Sequence, residues 1–145
     1  MIKLVESTPA VATVEMRVDI GAAPPDGSFF SLDADANAPT EFSNGRRCAV
    51  RLTGSNELQI ASLGGVVVSS ASIDPLTGPV TLTGTFDRAD GSGSCVLSDG
   101  SGEIASVSVP SGTWTDDTYR TTTATWSGGT GGNVIRLCGL TQTGG

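Results

Sequence analysis

Apolar and polar side chains alternate along much of this chain with a period of two. Ala12, Val14, Met16, Val18 and Ile20 fall on one side of an extended segment, and Thr13, Glu15, Arg17 and Asp19 on the other. That is the pattern of a strand with one dry and one wet face. Val80, Leu82 and Phe86 alternate with Thr81, Thr83 and Thr85 in the same way. Further strands are expected over 46–53, 57–63, 65–72, 94–98, 103–109, 119–127 and 133–140, and no segment of helical length carries a 3.6-residue period.

The connections agree. Asn44-Gly45 suits a type I′ hairpin turn, in which both central residues need positive φ. Asp90-Gly91 and Asp99-Gly100 punctuate a meander through 80–109, Asp74-Pro75 and Gly78-Pro79 bracket a further loop, and 128–132 is a glycine-rich tip. Many short strands between frequent turns predict an all-β fold, a single antiparallel β-sandwich or small β-barrel spanning 1–145. Residues 1–9 read as an extended N-terminal arm and 141–145 as a flexible tail. Residues 21–41, rich in proline, alanine and acids, read as a long loop excursion anchored by Phe29 and Phe30.

Composition narrows the picture. The 145 residues suffice for one domain, but four Phe, two Trp and one Tyr leave the core thin. The net charge is −7, and Lys3 is the sole lysine. No basic stripe exists to hold phosphates, so nucleic acid and anionic membrane surfaces are not expected partners. The one basic cluster is Arg46, Arg47 and Arg51, read as a solvated strand edge or as a docking point for an acidic neighbour. Residues 1–10 lack the apolar stretch of a secretory signal, and no Asn-x-Ser/Thr acceptor occurs. Synthesis in a cytoplasm is the expectation.

Candidate chemistry is sparse. Without histidine, neither a Ser-His-Asp nor a Cys-His arrangement has its imidazole, and no catalytic residues are assigned. The carboxylate pairs Asp87/Asp90 and Asp116/Asp117 fall in expected turns, where Asp serves local hydrogen bonding. Asp33, Asp35 and Asn37 imitate the opening of a calcium loop, but Ala38-Pro39 follows where glycine is required, so solvated loop acids are preferred and neither metal nor cofactor is expected. Cys48, Cys95 and Cys138 are odd in number and sit in alternating segments, which favours buried thiols, with a Cys95–Cys138 bridge as the alternative. Trp126 reads as core. Trp114 and Tyr119 flank a polar turn and read as core or as an exposed platform for sugar rings.

A short, all-β, acidic chain with loose arms, rich in Gly, Ser, Thr and Ala, resembles bacteriophage capsid decoration (cement) proteins in overall character. The resemblance rests on no motif and assigns no residue a role. It implies a structural virion protein on the capsid surface, binding the major capsid protein or other virion proteins, with a homo-oligomer such as a trimer compatible. The alternative is a carbohydrate- or receptor-binding β-sandwich module. The expected partner-contact residues are Lys3, Phe29, Phe30, Arg46, Arg47, Trp114 and Tyr119, of which Trp114 and Tyr119 are the platform candidates for a sugar.

Overall fold

The computed structural model describes residues 2–5, 10–21, 28–35, 45–52, 56–62, 66–114, 121–127 and 135–144, with the backbone path alone for 2–5, 121–127 and several strand ends. Among them, eleven strands follow one another: β1 (Ile2–Val5), β2 (Val11–Ile20), β3 (Ser28–Asp35), β4 (Gly45–Leu52), β5 (Glu57–Ala61), β6 (Val67–Ser72), β7 (Gly78–Asp87), β8 (Gly93–Asp99), β9 (Gly102–Val109), β10 (Thr121–Ser127) and β11 (Ile135–Gly144). All pairings are antiparallel. They build a six-stranded sheet in the order β1-β10-β3-β4-β5-β6 and a five-stranded sheet in the order β11-β2-β7-β8-β9.

Alternation drives the assembly. On β2 the face Ala12, Val14, Met16, Val18 and Ile20 is buried, and on β7 so are Val80, Leu82 and Phe86. Phe30, Leu32, Cys48, Val50, Leu58 and Ile60 meet them from the six-stranded sheet, forming one core between two layers. The filling is mostly aliphatic. Gly84 stands on the dry face of β7, where a Cβ would come within 3.0 Å of the Phe86 ring, so its missing side chain makes room for that ring. The β-sandwich is therefore observed, and the barrel alternative is not.

Three segments expected to be irregular are strands. The centre of the 21–41 excursion is β3, an interior strand between β10 and β4. Phe30, Leu32 and Ala34 point into the core, and Phe29, Ser31 and Asp33 alternate with them. The acids had suggested a loop, yet a strand tolerates Asp33 because Arg47 on β4 lies directly opposite it. Residues 22–27 and 36–41 lie outside the described residues, as do Asn44 and the 128–132 tip. The expected N-terminal arm contains β1, which pairs with β10. The expected tail continues β11, which pairs with β2 as far as Gly144 opposite Ala12. Threonine suits a half-exposed pleated surface, so Thr141-Gln142-Thr143 can close a sheet edge.

The cysteines also depart from expectation. Cys48 on β4 and Cys95 on β8, both fully buried, form a disulfide across the two sheets, with Cα atoms 5.5 Å apart. Cys138 is exposed at the register shift of β11 between Leu137 and Gly139, so it is not the partner of Cys95. Inward parity brings Cys48 and Cys95 together, a relation invisible until the two sheets are stacked face to face. Closing a separation of 47 residues restricts the unfolded chain, so Cys48→Ala/Cys95→Ala is expected to lower the unfolding free energy by about 2–4 kcal/mol. Thiol titration of the protein unfolded without reductant should report one reactive cysteine per chain, and three would refute the bridge.

Candidate functional site

The outer face of the six-stranded sheet carries a groove of about 310 Å³, lined by Phe29, Arg47, Ala49, Arg51, Gln59, Ala61 and Val67. Its layout follows from strand parity. Arg47, Ala49 and Arg51 alternate with the core residues Cys48 and Val50 on β4, and Gln59 and Ala61 do the same on β5. Register places Phe29 opposite Arg51, Ala49 opposite Gln59, and Arg47 opposite Ala61. Two alanines thus sit among longer side chains. Their small size opens the depression, and Val67 lies opposite Ala61 on β6.

Polar groups in and around the groove are held in place. Arg47 Nε donates to Asp33 Oδ1 at 2.6 Å, with the aspartate side chain 8% exposed. Ser31 Oγ donates to the other carboxylate oxygen at 2.9 Å. Gln59 Nε2 donates to Glu57 Oε2 at 2.6 Å, which leaves its carbonyl oxygen to accept from a ligand. Arg51 is exposed and makes no ion pair among the described residues. The arrangement combines an aromatic surface, two guanidiniums and an amide around a small-residue floor. Such a mixture suits a small polar ligand with one apolar face.

The opposite side of β4 holds a different cluster. Arg46 is buried facing the other sheet, its guanidinium 5.3 Å from the Trp114 ring centroid, and its Nη1 donates to the Asp87 carbonyl at 3.3 Å. Trp114 also packs on Phe86, with ring centroids 5.9 Å apart. Gly93 lies beneath the indole, and a Cβ there would occupy the same space as the ring. The Trp114 Nε1 is buried without an acceptor among the described residues. Beside it is a more open depression lined by Ala10, Arg88, Ala89, Asp90, Gly91, Gly112 and Trp114. Asp90 in its lining and the neighbouring Asp87 stabilise turns. Asp87 Oδ1 accepts from the Ala89 and Asp90 amides, and Ser92 hydrogen bonds hold the Asp90 carboxyl below its ordinary value.

The expected contact residues therefore separate. Phe29 and Arg47 line the groove. Phe30 is fully buried, and Arg46 points into the core, so neither is a contact residue; adjacent positions on a strand face opposite ways. Strand β4 is interior, so the arginines mark no sheet edge. Trp114 is 5% exposed and cannot serve as a sugar platform. Lys3 is placed on β1 by its backbone, while Tyr119 and the Asp116/Asp117 pair lie outside the described residues, as does the Trp126 side chain. Asp33 is engaged with Arg47, and no group of three or more metal-ligating side chains occurs among the described residues. Gln59, Ala49, Ala61 and Val67 were missed as site residues, and Arg51 stood only in the basic cluster with Arg46 and Arg47. The signal available was the spacing Arg47-x-Ala49-x-Arg51, which puts two cations on one strand face.

Solved structures align with nearly the whole sandwich. A legume lectin-like domain from Entamoeba histolytica matches with a TM-score of 0.67 at 9% identity, covering 99% of this chain and 75% of that one. Lectin II from Ulex europaeus gives 0.63 at 14%, covering 98% and 78%. Sheep galectin-11, in complex with glycerol, gives 0.55 at 9%, covering 98% and 96%. The fold is a lectin-like β-sandwich. No protein-family model and no curated protein sequence matches the chain.

The six-stranded sheet separates two roles for its arginines. Arg47→Met removes the partner of a nearly buried carboxylate and is expected to cost about 1–3 kcal/mol of stability. Asp33→Asn in the same chain should restore most of it. Arg51→Met, at an exposed position, should change stability by less than about 0.5 kcal/mol. Denaturant titration of the variants checks the contrast, and equal losses would contradict it.

Proposed function

We propose that this protein is a carbohydrate-binding β-sandwich module whose ligand lies in the groove on the outer face of the six-stranded sheet. The observation that carries the reading is the groove itself: Phe29 beside Arg51, with Gln59 and Arg47 around the Ala49–Ala61 floor. A pyranose ring has an apolar C–H face that packs on an aromatic ring and a rim of hydroxyls that hydrogen-bond to guanidinium and amide groups. The lectin-like fold is consistent with this use but does not by itself assign it.

Binding without catalysis is part of the proposal. Around the groove, the Asp33 carboxylate is engaged with Arg47 and the Glu57 carboxylate with Gln59. Neither stands as an unengaged acid across the groove from a second one, as glycoside hydrolysis requires. Phe29→Ala and Gln59→Ala should each weaken glycan binding by about tenfold or more, the loss of a packed ring or a ligand hydrogen bond. A glycan array followed by calorimetry on the strongest hits checks this. A wild-type protein that binds no glycan, or variants that bind as well as wild type, would overturn it.

A capsid-decoration role is the second reading, favoured by one edge. Strand β6 ends the six-stranded sheet, carries no charged residue, and has Val67 and Val68 more than 40% exposed. Such an edge can accept a strand from a capsid subunit. Val68→Lys is then expected to reduce co-sedimentation with purified capsids while leaving the fold unchanged. Failure of the wild-type protein to co-sediment removes this reading.

A further inference from the structure

Resting on the carbohydrate-binding reading, we propose that the groove selects an acidic saccharide, one whose ring carries a carboxylate, with Arg51 receiving the anionic group. The chain is acidic overall, at −7, yet the ionisable residues lining this groove are both arginines. They are not equivalent. Arg47 is locked onto Asp33 at 2.6 Å, so its charge is already neutralised and its remaining N–H groups serve as hydrogen-bond donors.

Arg51 has a different setting. Its cross-strand neighbours are Phe29 on β3 and Glu57 on β5. Glu57 is the only carboxylate directly opposite it, and that carboxylate is bound to the Gln59 amide. Among the described residues Arg51 has no ion pair, and it is exposed at the groove wall. Its guanidinium is thus presented with donors unengaged, in the planar fork that matches a carboxylate with two parallel hydrogen bonds.

Position then gives the class of ligand. Directly opposed residues on neighbouring strands hold their Cβ atoms about 4.5–5.5 Å apart. A sugar ring lying on Phe29 therefore brings a substituent at its edge to Arg51, the length of one exocyclic carbon being enough to span the gap. A carboxylate on that carbon gains a charge-assisted pair, whereas a hydroxymethyl group gains a neutral hydrogen bond. Glu57, on the far side of Arg51, disfavours a ligand that carries negative charge further along β5. The preference is for one carboxylate per bound ring rather than a densely sulfated chain.

Calorimetry with matched oligosaccharides tests this directly. Oligogalacturonate and oligoglucuronate would be compared with their neutral galactose and glucose counterparts and with a heparin oligosaccharide. The acidic sugars are expected to bind at least tenfold more tightly than the neutral ones, and to weaken as salt rises. Arg51→Gln should bring acidic and neutral sugars to equal affinity, Arg51→Lys should recover part of the difference, and Arg17→Gln on the other sheet should change nothing. Equal binding of both sugar types by the wild-type protein, or no effect of Arg51→Gln, would overturn the acidic preference while leaving carbohydrate binding intact. Preference for heparin would replace carboxylate recognition with sulfate recognition and overturn the proposal. Absence of binding to every sugar would remove both this inference and the reading beneath it.

Discussion

Strand β4 turns successive side chains to opposite faces of the six-stranded sheet, and both halves of the molecule are organised by that parity. Inward, Cys48, Val50 and Leu52 join the core, with Cys48 reaching across to Cys95 in the other sheet. Outward, Arg47, Ala49 and Arg51 form the wall and floor of the groove. Shifting the register by one residue would put two guanidiniums into the core and the core residues into solvent. The disulfide and the packed aliphatic face therefore fix the positions of the groove-lining residues as firmly as they fix the fold.

Arg46 obeys that parity and is nevertheless a cation on the dry side. Burying a charge is costly unless its hydrogen-bonding and electrostatic needs are met locally. Here the Trp114 ring faces the guanidinium and the Asp87 carbonyl accepts from it. Gly93 keeps the strand beneath the indole free of a side chain, and the Gly91 carbonyl accepts from the Trp114 amide. Arginine, tryptophan, turn and glycine form one unit at the end of β7 and β8. An aromatic residue that composition alone could place on the surface is instead part of the support for a buried charge.

Much of the fold was legible because period-two alternation is strong where valine, leucine and threonine follow one another. Strands β2, β7, β8 and β9 were of this kind. Strand β3 was hidden because Asp33 and Asp35 resemble loop acids, and the pairing that makes Asp33 acceptable involves a residue 14 positions away. Strand β1 was hidden by its length of four residues, and the C-terminal end of β11 by the polarity of Thr141-Gln142-Thr143. The site was half legible. Phe29 and Arg47 were selected for the wrong reason, as loop and edge residues, and Trp114 was selected because an aromatic beside a polar turn does not disclose which way it faces. Arg51 and Gln59 become neighbours across Ala49 only when β4 and β5 are in register.

All the groove-lining residues fall between positions 29 and 67, on four strands that are consecutive in the chain and adjacent in the sheet. The five-stranded sheet contributes none of them. The groove is in that sense local: its lining can drift through substitutions on one stretch of sequence while β2 and β7–β9 keep the packing constant. A chain with this arrangement offers evolution a surface that is nearly decoupled from its own stability, apart from the one position, Arg47, where the groove and the fold share a residue.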